Sequence, residues 1–388
     1  MTPVELSRTV LHAVRRAVDA GELSVSVPER AVVAPPGPGG CGDYATSIAL
    51  QLARPAGQPP LKVAEVLRPH LLGADGITDV VLTGPGFLNI RLDRGASGVG
   101  LVREILRRGD RYGYADRPDR PDRPDRPDRP DRRVVQLHCP YELRAVVVAE
   151  VAARLLRSQG ALVRVSAEGV EPAWTSVLGV VVDAVGRAPA ELPVNVRPVP
   201  APAGPAGALA LGRDAGRWAL LHPAAHDRPR VGDQHLVQRE SNPLFRVRYA
   251  HARARAATRN AADLGFTAEP GPVAGSGSGT PTGPVTGSDT GTPTVTTPLA
   301  DPAPELLAAL ADHPRVLAAA ADHRAPDRLA RHLVTVADAA LPFLPTVLPR
   351  GGEKPSAAHR ARLALAEAVG TVLAGGLALL GIDAPDHL

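Results

Sequence analysis

Tyr249 and Arg253 stand four residues apart in the run SNPLFRVRYAHARARA, which opens with an Asn-Pro pair suited to a helix cap and first turn. On a helix their side chains lie one turn apart, so a ring stands beside a guanidinium, a combination that can stack on an unpaired base and hydrogen-bond to it. Arg248, Arg255 and Arg259 recur at intervals of seven and four and could form a neighbouring stripe facing phosphate. The same spacing also fits a tyrosine packed in a core beside solvated arginines. Phe87 and Asn89 pose a similar choice: alternate residues of a strand share a face, so ring and carboxamide could hold a flipped-out base together, or Phe87 could anchor a hairpin.

Other residue sets point to less. His222, His226 and His235 fall in a polar, Pro-rich connection with no paired carboxylate at helical spacing, and read as surface histidines. No metal site and no cofactor site is expected. Cys41 and Cys139 form no C-x-x-C pair, no G-x-S-x-G elbow occurs, and the Pro/Gly run before Cys41 lacks the Lys-Ser/Thr of a phosphate loop.

The elements that must position these groups follow from the composition and its period. At 388 residues the chain has room for two or three domains, and with 44% hydrophobic but only 3% aromatic residues its cores must be built from Ala, Val and Leu. Only two of the 44 basic residues are lysines, Lys62 and Lys354, so the net charge of +4 is carried by arginine. Two cysteines without a C-x-x-C pair and an N-terminus without an apolar core predict a reduced, cytoplasmic setting, and no segment is expected to cross a membrane.

Leu6, Val10, Val14 and Ala17 recur at helical spacing after Thr2, a predicted cap. LSVSVP reads as a strand, SIALQLA and LKVAEVLRPHLL as helices, ITDVVL and FLNIRL as a hairpin across TGPG, and VGLVREILRRG as a closing helix. Five DRP repeats from Asp116 predict a polyproline-type linker. RVVQLH, YELRAVVVAEVAARLLRSQG and LVRVS then form a βαβ unit, followed by weak strands over 186–212. A Gly/Ser/Thr-rich insert interrupts the C-terminal helices. In these helices Leu329, Leu333, Val336 and Ala340 share one face, as do Leu365, Val369, Val372, Leu373, Gly376, Leu377 and Leu380.

Three separated stretches, GDYATSIALQLA with TGPGFLNIRL, SNPLFRVRYAHARARA, and HRARLALAEAVGTVLAGGLALLGIDAPDHL, resemble the arginyl-tRNA synthetases in the same order. The resemblance implies a multidomain fold, α+β and all-α. It comprises a small N-terminal α+β domain (1–112), the repeat linker (113–132), a reduced Rossmann-like α/β remnant (133–240) and a DALR-type C-terminal helical anticodon-binding bundle (241–388) with a disordered insert (267–300). It further implies tRNA as partner, an arginine acceptor, with Tyr249, Arg253, Arg248, Arg255 and Arg259 at the anticodon and Phe87 and Asn89 at the elbow.

The family's HxGH and KMSK elements are not matched. His138 and Cys139 end the first strand with no second histidine at the required spacing, and no lysine lies between Lys62 and Lys354. The expectation is therefore a non-catalytic paralogue, a pseudoenzyme with no catalytic residues that binds tRNA in an accessory or regulatory role. The alternatives are an arginine–tRNA ligase with an unconventional active site, and a protein-interaction scaffold without RNA affinity that docks on a protein partner.

Overall fold

The computed structural model describes residues 3–34, 36–37, 41–74, 76–92, 94–115, 134–188, 193–202, 204–273 and 302–388. Thr2, the repeats of the 113–132 linker from Asp116 on, and the part of the 267–300 insert beyond residue 273 lie outside them.

The first unit contains α1 (Pro3–Asp19), β1 (Val33–Ala34), β2 (Tyr44–Thr46), α2 (Ile48–Ala56), α3 (Pro60–Leu72), β3 (Ile77–Thr83), β4 (Phe87–Leu92) and α4 (Arg94–Arg108). Its sheet runs β1-β2-β4-β3, every pair antiparallel. Leu6, Val10, Val14 and Ala17 are all buried, as their spacing predicts, and pack with Leu67 and Leu71 of α3 and Leu88 and Ile90 of β4. LSVSVP forms no strand; Val25 and Val27 lean on the same core from an irregular segment.

The second unit is built on β5 (Val134–Cys139), α5 (Leu143–Ser158), β6 (Leu162–Ala167), α6 (Pro172–Leu178), β7 (Ala184–Val185), β8 (Val194–Asn195), α7 (Gly204–Ala210) and α8 (Gly212–Leu221). The sheet order is β7-β6-β5-β8 and all pairs are parallel. That order reverses direction between β5 and β8, the switch point at which parallel sheets open a crevice outside their carboxyl ends. Among the described residues of 186–212, where weak strands are expected, only β8 forms, while 204–210 is helical.

Arg144 explains how the Pro-rich return from this sheet is held. It is fully buried in α5, and all five of its N–H donors meet backbone carbonyls: Nε donates to Leu220, Nη1 to Val199 and Asp227, and Nη2 to Pro223 and Ala224. One side chain from a helix thus satisfies the orphan carbonyls of a segment that proline prevents from pairing in a sheet.

The third unit packs α9 (Pro243–Asp263), α10 (Ala303–Asp322), α11 (Pro326–Ala340) and α12 (Ala357–Leu380). Leu329, Leu333, Val336 and Ala340 are buried, and so are Leu365, Val369, Val372, Leu373, Leu377 and Leu380. The expectation that no segment has the length and apolarity to cross a bilayer is corrected by α12. Among the described residues it is the one helix that passes on both counts, but 78% of its apolar window is buried inside the bundle. Such a helix is apolar all round because neighbours surround it.

The units are docked through specific side chains. After α4, Tyr112 is buried against the bundle, with Oη donating to the Leu310 carbonyl at 3.2 Å and its ring stacked on His313 at 5.8 Å. His313 in turn lies 5.3 Å from the His332 ring. Gly113 follows at φ +87°, a conformation that favours glycine, and a Cβ there would also sit a tight 3.2 Å from His313.

Candidate nucleic-acid interface

Helix α9 begins as its sequence dictates. Asn242 caps it, Oδ1 accepting from the Leu244 amide at 3.1 Å, and Pro243 occupies the first turn, where its missing N–H costs nothing. The Asn242 amide group also donates to the carbonyls of His235 and Val237, which fixes the angle at which the helix leaves the α/β unit. Leu244, Val247, Ala250, Ala254, Ala257 and Ala261 are buried, so the other face is turned outward.

On that outer face stands a column. The Phe245 and Tyr249 rings are stacked, 5.4 Å between centroids and 15° apart in plane, and Arg253 continues the line with Cζ 5.8 Å from the Tyr249 centroid. Arg253 Nη1 lies 3.4 Å from the Tyr249 hydroxyl, a long and weak contact that leaves the guanidinium free to engage something else. Tyr249 is 36% exposed, too open for a core residue. Two π faces followed by a cation, each one turn apart, form a platform on which unpaired bases can stack.

The other three arginines predicted on this helix point elsewhere. Arg248 reaches Asp214 of α8 at 3.4 Å, at the seam with the α/β unit. Arg255 pairs with Asp386 at 3.0 Å, and Arg259 donates to the Asp386 carbonyl at 3.2 Å. His251, buried beneath them, hydrogen-bonds the Pro385 carbonyl through Nδ1, and burial lowers its pKa. The Asp386 carboxyl is held below its ordinary pKa chiefly by the hydrogen bond from Arg255. Arg255 and Arg259 therefore bind the segment after α12, and the structure joins only Tyr249 and Arg253 on one surface. Phe245, which sequence reasoning missed, belongs with them; it lies one turn before Tyr249 in a chain with only four phenylalanines.

The elbow pair also divides. Phe87 is 40% exposed at the tip of the β3–β4 hairpin, opposite Thr83. Asn89 is only 2% exposed, and its Nδ2 donates to Thr83 Oγ1 at 2.6 Å and to the Val81 carbonyl at 3.3 Å. Its carboxamide braces the tip that presents Phe87 rather than facing solvent beside it.

At the carboxyl ends of the parallel strands, His138 Nδ1 lies 2.9 Å from Ser166 Oγ and pairs in register with Asn195 across the switch point. Glu142 caps α5 by accepting from the Arg144 and Ala145 amides. Tyr141 stacks on buried Trp174 at 5.3 Å and donates to Glu171 at 2.9 Å. Burial pushes the Cys139 thiol up to about 12, which disfavours the thiolate. His222, His226 and His235 each have a separate partner: His222 stacks on Trp218, His226 faces Asp227 at 3.6 Å, and His235 contacts the Arg230 carbonyl. Among the described residues no group of three His, Cys, Asp or Glu side chains is arranged to hold a metal.

Two family descriptions match the chain: "Arginyl tRNA synthetase N terminal domain" over residues 5–92 and "DALR anticodon binding domain" over residues 247–388. An arginine–tRNA ligase of Frankia alni is 44% identical over 118 residues, 30% of this chain and 21% of its own length. One of Renibacterium salmoninarum is 39% identical over 166 residues, 42% of this chain and 30% of its own. This chain thus spans less than a third of either relative. Among solved structures, the Thermus thermophilus arginyl-tRNA synthetase superposes with a TM-score of 0.61 at 14% identity, covering 100% of both chains. The Plasmodium falciparum enzyme does so with 0.63 at 8% identity, covering 100% of this chain and 99% of its own.

These relatives correct the expectation of a non-catalytic paralogue and pseudoenzyme, because the proteins that this chain matches are ligases by name. The physical reason is that a missing lysine and a missing second histidine describe two motifs. They do not describe every cation and donor that a parallel sheet can bring to its strand ends. On a fold shared with the arginyl-tRNA synthetases, the chain matches that family's N-terminal domain and, after it, the DALR anticodon binding domain.

Proposed function

We propose that this chain binds tRNA at two places and acts in the ligation of arginine to it. The observation that carries the proposal is the Phe245–Tyr249–Arg253 column on the helix that leads into the DALR match. Anticodon bases are unpaired and can be splayed onto such a platform, whereas a duplex cannot. Exposed Phe87 on its braced hairpin is the second contact, at the elbow, inside the N-terminal match. The working division is an elbow module over 1–112, a linker over 113–132, an α/β unit over 133–240 and an anticodon module over 241–388. Two weak contacts on one RNA reinforce each other through effective concentration when the α/β unit spans the distance between them.

Ligation needs the arginine carboxylate to attack the α-phosphorus of ATP with loss of pyrophosphate. A ribose hydroxyl of the tRNA then attacks the resulting acyl carbon, and AMP leaves. In this reading the crevice between β5 and β8 holds the reactants, and His138 and Asn195, paired across it, supply hydrogen-bonding groups. This is the unconventional site anticipated as an alternative from the sequence.

The two halves of the proposal are tested separately. Filter-binding titration of tRNA against the wild type and a Tyr249→Ala/Arg253→Ala variant tests the anticodon contact; equal affinities would remove it. Arginine-dependent ATP–pyrophosphate exchange, with and without tRNA, tests ligation. No exchange and no charging by a preparation that does bind tRNA would overturn that half alone.

A further inference from the structure

A cavity of about 380 Å³ opens where the end of α5, the end of α12 and the segment after α4 meet. Its wall carries Arg111, Arg154 and Arg157 together with Tyr114 and Ser158, and none of the described residues lining it is acidic. It lies at the amino-terminal side of the β5–β6 sheet, beside Ser158 and Gly160 and across the strands from His138 and Ser166. It is therefore separate from the crevice assigned to ligation.

Guanidiniums outnumber carboxylates there. Buried Glu150 is a single carboxylate shared by two guanidiniums, Arg217 through Oε2 at 2.7 Å and Arg154 through Oε1, so this trio keeps one positive charge, and Arg154 faces the cavity. Arg157 pairs with Asp183 at 3.2 Å, with both side chains more than 40% exposed, and donates to the Val163 carbonyl. Solvent screens that pair. Arg111 has no ion pair among the described residues; its guanidinium lies 5.9 Å from the Tyr114 ring centroid.

Two helix C-termini face the same space and contribute roughly half a negative charge each; Arg154 already answers one of them by donating to the Ala378 carbonyl at 3.2 Å. The Asp110 carboxylate beside Arg111 also acts on Tyr114, so the surplus is largely offset, and what the cavity offers an anion is chiefly its guanidinium donors. A volume of about 380 Å³ lies within the range of small-molecule sites.

We propose that this cavity is an anion site for a phosphate-bearing ligand of pyrophosphate to nucleotide size, its phosphates bound by Arg111, Arg154 and Arg157. Planar guanidiniums lining one cavity from two segments match the several oxygens of linked phosphates better than they match a single carboxylate. The phosphate belongs either to a free nucleotide or diphosphate or to an RNA backbone, and the test separates these sources.

The full chain is titrated calorimetrically with pyrophosphate and with ADP, and by filter binding with tRNA. The variants are Arg111→Gln, Arg157→Gln and the double substitution. Both residues sit outside the Glu150–Arg217 pair, and a thermal melt of each variant checks the fold. The expected result is saturable pyrophosphate binding to the wild type, weakened about tenfold or more in the double variant. If pyrophosphate and ADP do not bind but tRNA affinity drops by a similar factor, the same arginines serve RNA phosphate and the site stands. Pyrophosphate binding that the double variant leaves unchanged, or no change with any of the three ligands, overturns it.

Discussion

Arg217 Nη2 donates to Glu150 Oε2 at 2.7 Å, with the arginine side chain fully buried and the glutamate 5% exposed. The rest of the guanidinium is equally committed. Nε donates to the Leu380 carbonyl at 2.8 Å and Nη1 to the Leu178 carbonyl at 2.9 Å, so one side chain of α8 joins the ends of α12 and α6. Removing the carboxylate leaves a buried cation without a counter-ion, so Glu150→Leu should lower unfolding stability by about 3–5 kcal/mol. Arg217→Met should cost less, because Arg154 still pairs with Glu150. Urea denaturation of the two variants ranks them, and the reverse order would mean that the carbonyl bonds matter more than the ion pair.

The same guanidinium explains a glycine. Gly381 ends α12 at φ +73°, and a Cβ there would lie 2.6 Å from Arg217 Nε and Cζ. Gly265 ends α9 at φ +75° with nothing within 4 Å of its Cβ position. Gly265→Ala should therefore cost only the left-handed backbone penalty, about 1–2 kcal/mol, and Gly381→Ala clearly more, since a packed ion pair must also move. Melting the two variants side by side isolates the steric part; equal losses would show that Arg217 yields freely.

Stacking on the α9 column should be shared between its rings. Phe245→Ala and Tyr249→Ala are each expected to weaken tRNA binding by about 1–3 kcal/mol, while Tyr249→Phe keeps most of the affinity. Arg255→Gln should act mainly on the docking of residues 385–387, through Asp386. If Phe245→Ala leaves binding untouched, the platform is the tyrosine and arginine alone.

Acid should loosen the seam between Tyr112 and the bundle. Burial pushes the His313 pKa down to about 3 and that of His332 to about 4, from 6.5. An unfolded chain takes up these protons first, so their contribution is complete above pH ~6.5 and is lost as pH falls towards the folded values, at up to ~1.4 kcal/mol per pH unit for each proton. His313→Phe keeps a ring in the stack and removes one titration. The pH dependence of its melting temperature between pH 6.5 and 4 should be shallower than that of the wild type; parallel curves would count against this origin.

Local order was largely readable because its causes are local. Apolar spacing marked α1, α11 and α12, Asn242-Pro243 marked the start of α9, and ITDVVL-TGPG-FLNIRL marked a hairpin that forms. LSVSVP misled because alternation alone gives a strand no partner: Val25 and Val27 find the core without pairing. Half of the candidate site was readable too. Tyr249 and Arg253 met as their spacing required, but Arg255 and Arg259 found Asp386 some 130 residues away, and Asn89 turned to Thr83 across the hairpin.

By itself the sequence determined which faces are apolar, where helices start and stop, that positive charge in the middle of the chain is carried by arginine, and that both ends resemble arginyl-tRNA synthetases. These follow from residue type and period, which act over a few residues. Only the tertiary structure decided which arginines are available to a ligand. Arg144 and Arg217 are spent inside on carbonyls and a carboxylate, whereas Arg253 stands on an open face and Arg111 lines a cavity. A guanidinium has five donors and a long stem, and what it binds depends on which distant segments the fold brings within reach.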